Sequence, residues 1–231
     1  MLKLITVLSE PQQRQLQAYL NQHQRLLQLD DSSYAGGRRR FWLQHRPVLG
    51  SGGRRYSDAP RLPQLWQLCR NIYQRAVATT DLQGFHEPHL GLAAYGAVGI
   101  RQHRDDPYAA CPAVTINLST EITRWGYTPV YSGYDNRSPQ RVEEQIYHLP
   151  PGAIILFNSQ NPHRVVSADP KRWSLNLWSI SPKCRPYFQH YLAANAQPGD
   201  AVSFSPQSGE KIYGQQRYSG IAGGGSGLGL S

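Results

Sequence analysis

Apolar residues in the first third of the chain recur mainly at helical spacing. Residues 2–8 form a short apolar run, and after it positions such as Leu16 and Leu20 repeat every three or four residues among glutamines. This pattern predicts a first strand followed by an amphipathic surface helix over residues 11–29. Ser9 stands where the N-cap of that helix would lie.

A second helix is predicted over residues 63–78, where one apolar stripe recurs at helical spacing. Its members are Leu65, Trp66, Cys69, Ile72, Tyr73 and Val77. Such a stripe is more often part of a core than a cofactor-binding surface. Between the two helices, Gly-rich loops surround one short apolar segment, residues 41–43.

After Gly84 the apolar period changes from 3.6 to 2, which is the period of β-strands. Short runs appear at residues 89–95, 113–119, 145–149, 153–157, 164–166 and 173–180. Short strands broken by Gly and Pro turns predict a mainly β fold with flanking helices, of the sandwich or jelly-roll type. The turn Pro150-Pro151-Gly152 leads into the continuous apolar run 153–157, which is typical of a strand buried on both faces.

The chain divides into four predicted regions. Residues 1–85 would supply a strand and supporting helices that pack on a β core at residues 86–181. A last helix is predicted over residues 182–197. Residues 198–231 are rich in Gly and Ser and are expected to be partly disordered, because they have little apolar surface to bury.

The chain carries a positive charge, since its 231 residues include 24 Lys and Arg against 15 Asp and Glu, a formal net charge of +9. Such a charge favours anionic partners and keeps nucleic acid as a candidate partner. Much of the excess lies in Arg38, Arg39 and Arg40 and in Arg54 and Arg55. Solvated loop arginines are the favoured interpretation of these runs, and a phosphate-contacting rim is the alternative.

Cysteine spacing excludes two common classes of small fold. Cys69, Cys111 and Cys184 are widely separated and form no C-x-x-C pair, so neither a zinc ribbon nor a disulfide scaffold is indicated. The apolar N-terminal run is too short for a secretory signal or a membrane span. We therefore expect a cytoplasmic protein with no membrane partner.

Three residues have the chemistry of a metal site. His103 and Asp105 are separated by one residue at the end of an extended segment, so both can point to the same side, and His163 follows a predicted buried strand. Two imidazoles and one carboxylate form the ligand set of non-haem Fe(II) oxygenases, which leaves other metal positions open. Asp106 is an alternative carboxylate, and an ordinary loop histidine is the alternative interpretation of His163.

Four ordered motifs resemble those of the Fe(II)- and 2-oxoglutarate-dependent dioxygenases. They are Tyr95-Gly96-Ala97-Val98-Gly99 before His103-Arg104-Asp105, the run 152–157 before Pro162-His163-Arg164-Val165, the interval between the two histidines, and Arg172-Trp173-Ser174. The interval is similar to that of the prolyl-hydroxylase branch. The resemblance covers less than half of the chain, about residues 90–181.

This resemblance implies a double-stranded β-helix, a variant of the jelly roll, with His103, Asp105 and His163 as catalytic ligands of Fe(II). It further implies 2-oxoglutarate as cosubstrate and O2 as oxidant, with release of succinate and CO2 as a C–H bond is hydroxylated. Arg172 and Ser174 would hold the far carboxylate of 2-oxoglutarate. An arginine suits this role because its planar fork makes paired, charge-assisted hydrogen bonds.

Further cofactor-binding residues follow from strand periodicity. Period 2 places Arg172, Ser174, Asn176 and Trp178 on one face of the last strand, and Trp173, Leu175 and Leu177 on the other. Asn176 and Tyr95 are candidate 2-oxoglutarate contacts because similar residues serve some family branches, and Asn117 is a further candidate. Arg164 is a rival anchor, but it would point away from the metal if His163 points inward.

Other features have weaker functional interpretations. His86 and His89 could suggest a second metal site, but Pro88 breaks their spacing, so a structural role is favoured. Tyr127, Tyr131 and Tyr134 could belong to a substrate lid or to an exposed loop.

The predicted function is a dioxygenase that hydroxylates a peptide, an amino acid or another small molecule. An alkylation-repair demethylase acting on nucleic acid stands second. Those repair enzymes carry a further arginine six residues after the first, and here that position is Trp178. A non-catalytic jelly-roll binding protein is the third candidate, since a fold alone does not fix a function.

Overall fold

Two α-helices and thirteen strands make up the described part of the computed structural model. The described residues are 2–30, 32–44, 47–50, 53–56, 62–80, 85–96, 98–106, 109–130 and 143–180. The predicted last helix at residues 182–197 and the Gly-rich tail at 198–231 lie outside them. So do Tyr131 and Tyr134 of the predicted lid, and the side chains of Arg54, Arg55 and Cys111.

The two predicted N-terminal helices are present with different ends. Helix α1 spans Glu10–Gln22 and a single 3-10 turn follows at Gln24–Leu26, so the helix is shorter than its apolar spacing predicted. Residues 28–29, at the end of the predicted helix, instead form a short strand that pairs with residues 39–40. Helix α2 spans Pro63–Val77, close to its predicted bounds. Neither helix is long and apolar enough to cross a membrane, a finding limited to the described residues.

Every run predicted from the period-2 pattern contains a strand. The strands are β1 Leu2–Val7, β2 Gln28–Leu29, β3 Arg39–Gln44, β4 Pro47–Gly50, β5 Gly53–Tyr56, β6 Leu90–Tyr95, β7 Gly99–His103, β8 Ala109–Leu118, β9 Thr123–Tyr127, β10 Gln145–Leu149, β11 Ala153–Phe157, β12 His163–Val166 and β13 Trp173–Ile180. The period-2 pattern did not predict β7 or β9, because these strands have charged or polar residues at several positions.

Consecutive strands of the β core are distributed over two sheets. Strands β6, β13, β8 and β11 form the centre of a seven-stranded sheet in the order β1-β11-β8-β13-β6-β3-β2. Strands β10, β9, β12 and β7 form a four-stranded sheet in that order, and β4 and β5 form a two-stranded sheet. Neighbouring strands pair antiparallel within these three sheets. This arrangement of eight strands in two four-stranded layers is the double-stranded β-helix, and it confirms the predicted jelly roll.

Buried apolar residues form two clusters, one on each face of the large sheet. The outer cluster joins the helices to one face of the sheet and includes Leu20, Tyr73 and Leu175. The inner cluster lies between the two sheets and includes Ile155 and Trp125. The alternation predicted for β13 is confirmed, because its apolar residues 173, 175 and 177 belong to the outer cluster.

The turn before β11 requires a glycine. Gly152 has a φ of +75°, which lies in the left-handed region that side chains disfavour. A Cβ at this position would also lie 2.4 Å from the side-chain amide of Gln13 in α1. Strand β11 then runs through the core with all five residues buried, as its continuous apolar sequence predicted.

The arginine run at the start of β3 does not consist of solvated loop arginines. Arg38 and Arg40 are buried, at 6% and 9% exposure, and both contact the carboxylate of Asp30. Only Arg39 of the three is exposed, and its guanidinium lies over the ring of Tyr95. Both interpretations of this run, solvated arginines and a phosphate-contacting rim, are therefore wrong for Arg38 and Arg40. No sequence pattern indicates their partner, because Asp30 lies eight or more residues earlier in the chain.

Candidate metal centre

His103, Asp105 and His163 lie together between the two sheets. His103 ends β7 and His163 begins β12, and the two residues are direct partners across these antiparallel strands. Oδ1 of Asp105 lies 3.7 Å from Nε2 of His103 and 3.8 Å from Nε2 of His163. Among the described residues this is the one group of three or more His, Cys, Asp or Glu side chains whose ligand atoms converge, all within 4.8 Å of one another.

A β-bulge turns His103 toward the interior. On β12, His163 and Val165 are two residues apart, but their partners on β7, His103 and Ile100, are three residues apart. The extra residue resets the alternation of β7, so that both Ile100 and His103 face inward. Without the bulge, Gln102 would occupy the inward position and the metal site would lack one ligand.

The two imidazoles are oriented in the same way. Nδ1 of His103 lies 2.9 Å from the carbonyl oxygen of Arg101, and Nδ1 of His163 lies 2.9 Å from that of Asn161. A carbonyl only accepts hydrogen bonds, so each Nδ1 must carry the proton. Each Nε2 therefore presents a lone pair on the side where Asp105 lies, which is the orientation that metal-binding histidines need.

Asp105 is fixed by contacts from two other parts of the chain. The indole Nε1 of Trp178 in β13 donates a hydrogen bond to Oδ2 of Asp105 at 2.7 Å. The backbone N–H of Asp105 donates to the carbonyl of Ser159 at 3.0 Å. Because Trp178 binds one carboxylate oxygen, Oδ1 is left to face the histidines.

Aromatic rings pack on both histidines. The ring of Tyr34 stacks on His103, with centroids 4.1 Å apart and planes 10° apart. The indole of Trp125 lies parallel to His163 at 5.7 Å, and Phe157 contacts the same imidazole edge-on at 5.0 Å. These rings restrict the rotamers of the histidines and surround the site with apolar surface.

The electrostatics of the site favour a bound cation. Burial, followed by the charge of His163, lowers the pKa of His103 to about 3, so its imidazole is neutral at physiological pH. Burial also raises the pKa of the Asp105 carboxyl, against the opposing effects of His163 and the Trp178 hydrogen bond. A neutral His103 imidazole beside a buried carboxylate suits a divalent metal, whose charge would stabilise the carboxylate.

Arg172 presents an open guanidinium fork in the same interior. The residue is 2% exposed, and its Nε donates to Oδ1 of Asn117 at 2.9 Å. Its two terminal nitrogens have no hydrogen-bond partner in the described part of the chain. Burial and then the nearby Arg38 lower the pKa of Arg172 to about 10, with Asp169 acting in the opposite direction. A buried guanidinium of this kind is a binding group for a carboxylate.

Three of the other predicted cofactor residues lie on the same face of the large sheet as Arg172. Ser174 pairs with Asn117 across β13 and β8, and Asn176 pairs with Thr115. The amide of Asn176 donates to the hydroxyl of Ser174 and accepts from that of Thr115, at 3.2 and 2.9 Å. Together these residues form a polar strip inside the barrel.

Tyr95, in contrast, is not brought to that face. Its ring lies against Trp173 with centroids 4.8 Å apart, and it joins the outer cluster beneath the helices. Tyr95 pairs with Trp173 across β6 and β13, so the two side chains share a face opposite to that of Ser174. The expected contact of Tyr95 with 2-oxoglutarate is therefore not supported by its position.

The rival site residues lie elsewhere. Arg164 points outward and makes two 2.6 Å hydrogen bonds to Glu144, as expected if its neighbour His163 points inward. Asp106 is exposed and does not join the converging ligands. Nδ1 of His89 accepts a hydrogen bond from the backbone N–H of Ile180 at 3.1 Å, which is a structural role.

The site also contains residues that sequence reasoning did not assign. Trp178 was placed on the correct face of its strand but was given no contact with Asp105. Tyr34 and Arg38 lie in a Gly-rich turn about seventy residues before His103, and no motif marks them. The only available signal was the periodicity of β13.

Solved structures with the same fold support this description. The chain is similar to a prolyl hydroxylase from Trichoplax adhaerens, solved with a peptide fragment of the hypoxia inducible factor oxygen degradation domain. Identity is 17%, the match covers 80% of this chain and 86% of that one, and the TM-score is 0.56. It is also similar to a Pseudomonas putida prolyl-4-hydroxylase, at 16% identity, 78% and 92% coverage and a TM-score of 0.50.

A third similar structure is the non-haem alpha-ketoglutarate-dependent carbocyclase SnoK of nogalamycin biosynthesis. Identity is 12%, the match covers 87% of this chain and 88% of that one, and the TM-score is 0.54. No protein-family model and no curated protein matches the sequence. At these identities the similarity shows a shared fold, the double-stranded β-helix found in these oxygenases.

Proposed function

We propose that this protein is an Fe(II)- and 2-oxoglutarate-dependent dioxygenase that hydroxylates a C–H bond of a peptide or small molecule. One observation carries the proposal: a converging His103-Asp105-His163 triad shares a barrel interior with the open guanidinium fork of Arg172. The triad supplies the ligands for the metal, and the arginine supplies the anchor for a dicarboxylate.

The residues present fit Fe(II). Two neutral imidazoles and one carboxylate are the ligand set of the facial triad, which leaves positions open for cosubstrate and oxygen. Each ligand is held by a hydrogen bond on the side away from the metal position. The two histidines donate to the carbonyls of Arg101 and Asn161, and Asp105 accepts from the indole of Trp178. Such supporting contacts are typical of metal ligands and stabilise metal binding.

The residues present also fit 2-oxoglutarate. Arg172 would hold its C5 carboxylate with the two terminal nitrogens of the fork, and Ser174 would donate a further hydrogen bond. Asn117 orients the guanidinium by accepting a hydrogen bond from Nε of Arg172. The 2-oxo and C1 carboxylate groups would then reach the metal. When bound, iron and 2-oxoglutarate together supply the oxidant, with succinate and CO2 as products.

Aromatic rings cover both histidines of the triad. Trp125 and Phe157 cover His163, and Tyr34 covers His103. Apolar walls of this kind protect a reactive oxidant from competing reactions. The peptide bound to the Trichoplax enzyme makes a peptide substrate one candidate for this chain, alongside small molecules.

The structure gives no support to a repair demethylase acting on nucleic acid. Trp178, which occupies the position of a further arginine in those enzymes, is engaged by Asp105. Arg38 and Arg40 are buried around Asp30 and cannot form an exposed phosphate-binding surface. A binding protein without catalysis remains the alternative that the next experiment decides.

The experiment is an anaerobic titration of the protein with Fe(II) and 2-oxoglutarate. A weak visible metal-to-ligand charge-transfer band should form when 2-oxoglutarate chelates the metal. His163→Ala should abolish the band, whereas His148→Ala should retain it, since His148 is an exposed histidine on β10. If folded wild-type protein forms no band, the oxygenase proposal fails and the binding protein replaces it.

A further inference from the structure

A short segment joins the edges of the two sheets beside the metal site. We call residues 32–38 the strap, because they leave the edge strand β2 of the large sheet and run along β7, the edge strand of the small sheet. The backbone N–H of Arg101 in β7 donates to the carbonyl of Tyr34 at 2.9 Å, and the Arg101 side chain donates to that of Ser33. Ala35 of the strap is fully buried in the inner cluster. The strap is thus a packed part of the barrel wall.

The last residue of the strap is a buried arginine. Arg38 is 6% exposed, and its Nε donates to Oδ2 of Asp30 at 2.5 Å. The other oxygen of Asp30 lies 3.2 Å from Nε of Arg40. Burial opposes ionisation of Asp30, but Arg38, hydrogen bonds from Ser32 and Arg40 together lower the pKa of this carboxyl. Asp30 is therefore an anion that fixes Arg38 by its Nε edge.

The far end of the Arg38 fork is open. Neither terminal nitrogen has a hydrogen-bond partner among the residues that the structure describes. Asp30 cannot supply a second bond to them while its other oxygen faces Arg40. A buried fork with its terminal nitrogens unpaired is suited to receive a planar anion in bidentate geometry.

Arg38 lies beside the aromatic ring that covers one of the candidate metal ligands. Its guanidinium carbon is 6.0 Å from the ring centroid of Tyr34, and that ring stacks on His103 at 4.1 Å. Through Tyr34, the buried side chain of Arg38 is therefore connected to the part of the barrel where His103 lies.

We propose that Arg38 binds a carboxylate of the substrate, so that the enzyme acts on a small carboxylic acid or on an acidic group of a short peptide. This inference rests on the proposed function, in which the metal and Arg172 already hold both carboxylates of 2-oxoglutarate. Arg38 then remains as a positive group beside the reacting centre, and it would orient the substrate while the C–H bond to be oxidised faces the metal.

The burial of Arg38 limits the kind of anion that can reach it. A polymer backbone of phosphates would have to displace the strap, which is held by hydrogen bonds to Arg101 and by the burial of Ala35. A small or terminal carboxylate is a much more compact group. Its two oxygens also match the spacing of the arginine fork, which makes this the favoured anion.

The test compares carboxylic acids with their own primary amides. The probes are acetate, benzoate, N-acetylglycine and N-acetylproline with the matching amides, added anaerobically to the Fe(II)- and 2-oxoglutarate-loaded protein. Binding is followed through the charge-transfer band. We expect the acids to perturb the band at concentrations at least about tenfold lower than the amides, since a hydrogen bond to a charged group is worth about 1.5–3 kcal/mol.

Variants of the arginine run assign the effect to Arg38. Arg38→Gln should remove the preference for acids, and Arg38→Lys, which keeps the charge but not the fork, should retain only part of it. Arg39→Gln is the matched control, because it removes a charge from the adjacent residue on the opposite face. It should keep the full preference. Thermal unfolding of each variant confirms that the protein compared is folded.

The outcomes separate this inference from the proposed function. No band in wild-type protein would overturn both. Two results would overturn the role of Arg38 alone. In the first, wild-type protein forms a normal band that shows no saturable response to the acids. In the second, the preference for acids over amides survives in Arg38→Gln. A rise in half-saturating 2-oxoglutarate in Arg38→Gln comparable to that in an Arg172 variant would assign Arg38 to the cosubstrate instead.

Discussion

Trp178 donates its indole N–H to the carboxylate of Asp105 at 2.7 Å, and this bond joins the last strand of the barrel to the metal site. Trp178 itself lies beside Trp42 of β3, with ring centroids 6.4 Å apart. The indole is therefore held by the sheet and in turn holds the carboxylate. In the proposed metal site, Trp178 would therefore be a positioning residue that acts through Asp105.

Trp178→Phe should weaken metal binding without unfolding the protein. Phenylalanine keeps an aromatic ring but has no N–H to donate, so Oδ2 of Asp105 loses its partner. Loss of a supporting contact of this type lowers metal affinity by about 10- to 100-fold. Fe(II) affinity is measured anaerobically, with Trp66→Phe on helix α2 as the control. Equal affinities in the two variants would show that the indole bond does not support the ligand.

Asp105→Ala should abolish metal binding, because it deletes the one anionic ligand of the triad. The loss of affinity should exceed the roughly 10- to 100-fold expected for a supporting residue. Asp106→Ala provides a matched control, since Asp106 is the adjacent exposed carboxylate. If Asp106→Ala lost Fe(II) binding and Asp105→Ala kept it, the assignment of the ligand would be wrong.

Arg172→Ala should raise the 2-oxoglutarate concentration needed for half-saturation and leave Fe(II) affinity nearly unchanged. Two hydrogen bonds to a charged group are worth about 1.5–3 kcal/mol each, so we expect an increase of roughly 100-fold or more. The measurement is the charge-transfer titration at saturating Fe(II). Arg164→Ala removes an arginine that points outward to Glu144, and it should not shift the titration. A shift in Arg164→Ala alone would move the anchor to that residue.

Asn117→Ala should affect both stability and cosubstrate binding. Asn117 is fully buried, accepts from Arg172 and Thr123, and donates to the carbonyl of Pro150. Its removal leaves buried groups unpaired, so the free energy of unfolding should fall by about 1–3 kcal/mol. Half-saturating 2-oxoglutarate should rise severalfold, because the Arg172 fork is no longer held.

Tyr73→Phe distinguishes these two effects of Asn117. It removes one buried hydrogen bond, to the carbonyl of Pro112, in the outer cluster away from Arg172. This variant should lose stability while keeping its 2-oxoglutarate affinity. If Asn117→Ala behaved in the same way, Asn117 would have a structural role only.

Leu175→Ala should destabilise the fold by about 2–5 kcal/mol, the usual cost of truncating a fully buried leucine. Leu175 has no exposed surface and lies in the outer cluster between the sheet and the helices. Leu29→Ala is the control, because Leu29 is 79% exposed and its truncation should change stability by less than about 0.5 kcal/mol. Chemical denaturation measures both. A similar loss in the two variants would contradict the predicted arrangement of β13.

The sequence predicted the elements whose own residues carry the signal. Alternating residues in β13 divided it correctly into an apolar face with Leu175 and a polar face with Ser174. The continuous apolar run of β11 predicted a fully buried strand, and Gly152 marked the turn before it. These predictions succeeded because strand periodicity and turn chemistry are local properties.

Other features depended on partners that lie far away in the chain. The inward position of His103 requires the bulge in β7, which shows only in its pairing with β12. The burial of Arg38 requires Asp30, and the face occupied by Tyr95 follows from its pairing with Trp173. The run of charges in a Gly-rich segment predicted that Arg38 and Arg40 would be exposed, but both are buried.

The sequence by itself determined the jelly-roll class, the candidate ligands and the candidate carboxylate anchor, because residue types and their spacing restrict both strand faces and metal chemistry. The tertiary structure alone decided that Trp178 holds Asp105, that Tyr34 covers His103, and that Arg38 is buried against Asp30. The physical reason is that pairing between distant strands sets which side chains meet. A single bulge or a buried ion pair, neither of which has a local pattern, is enough to turn a side chain toward the site or away from it.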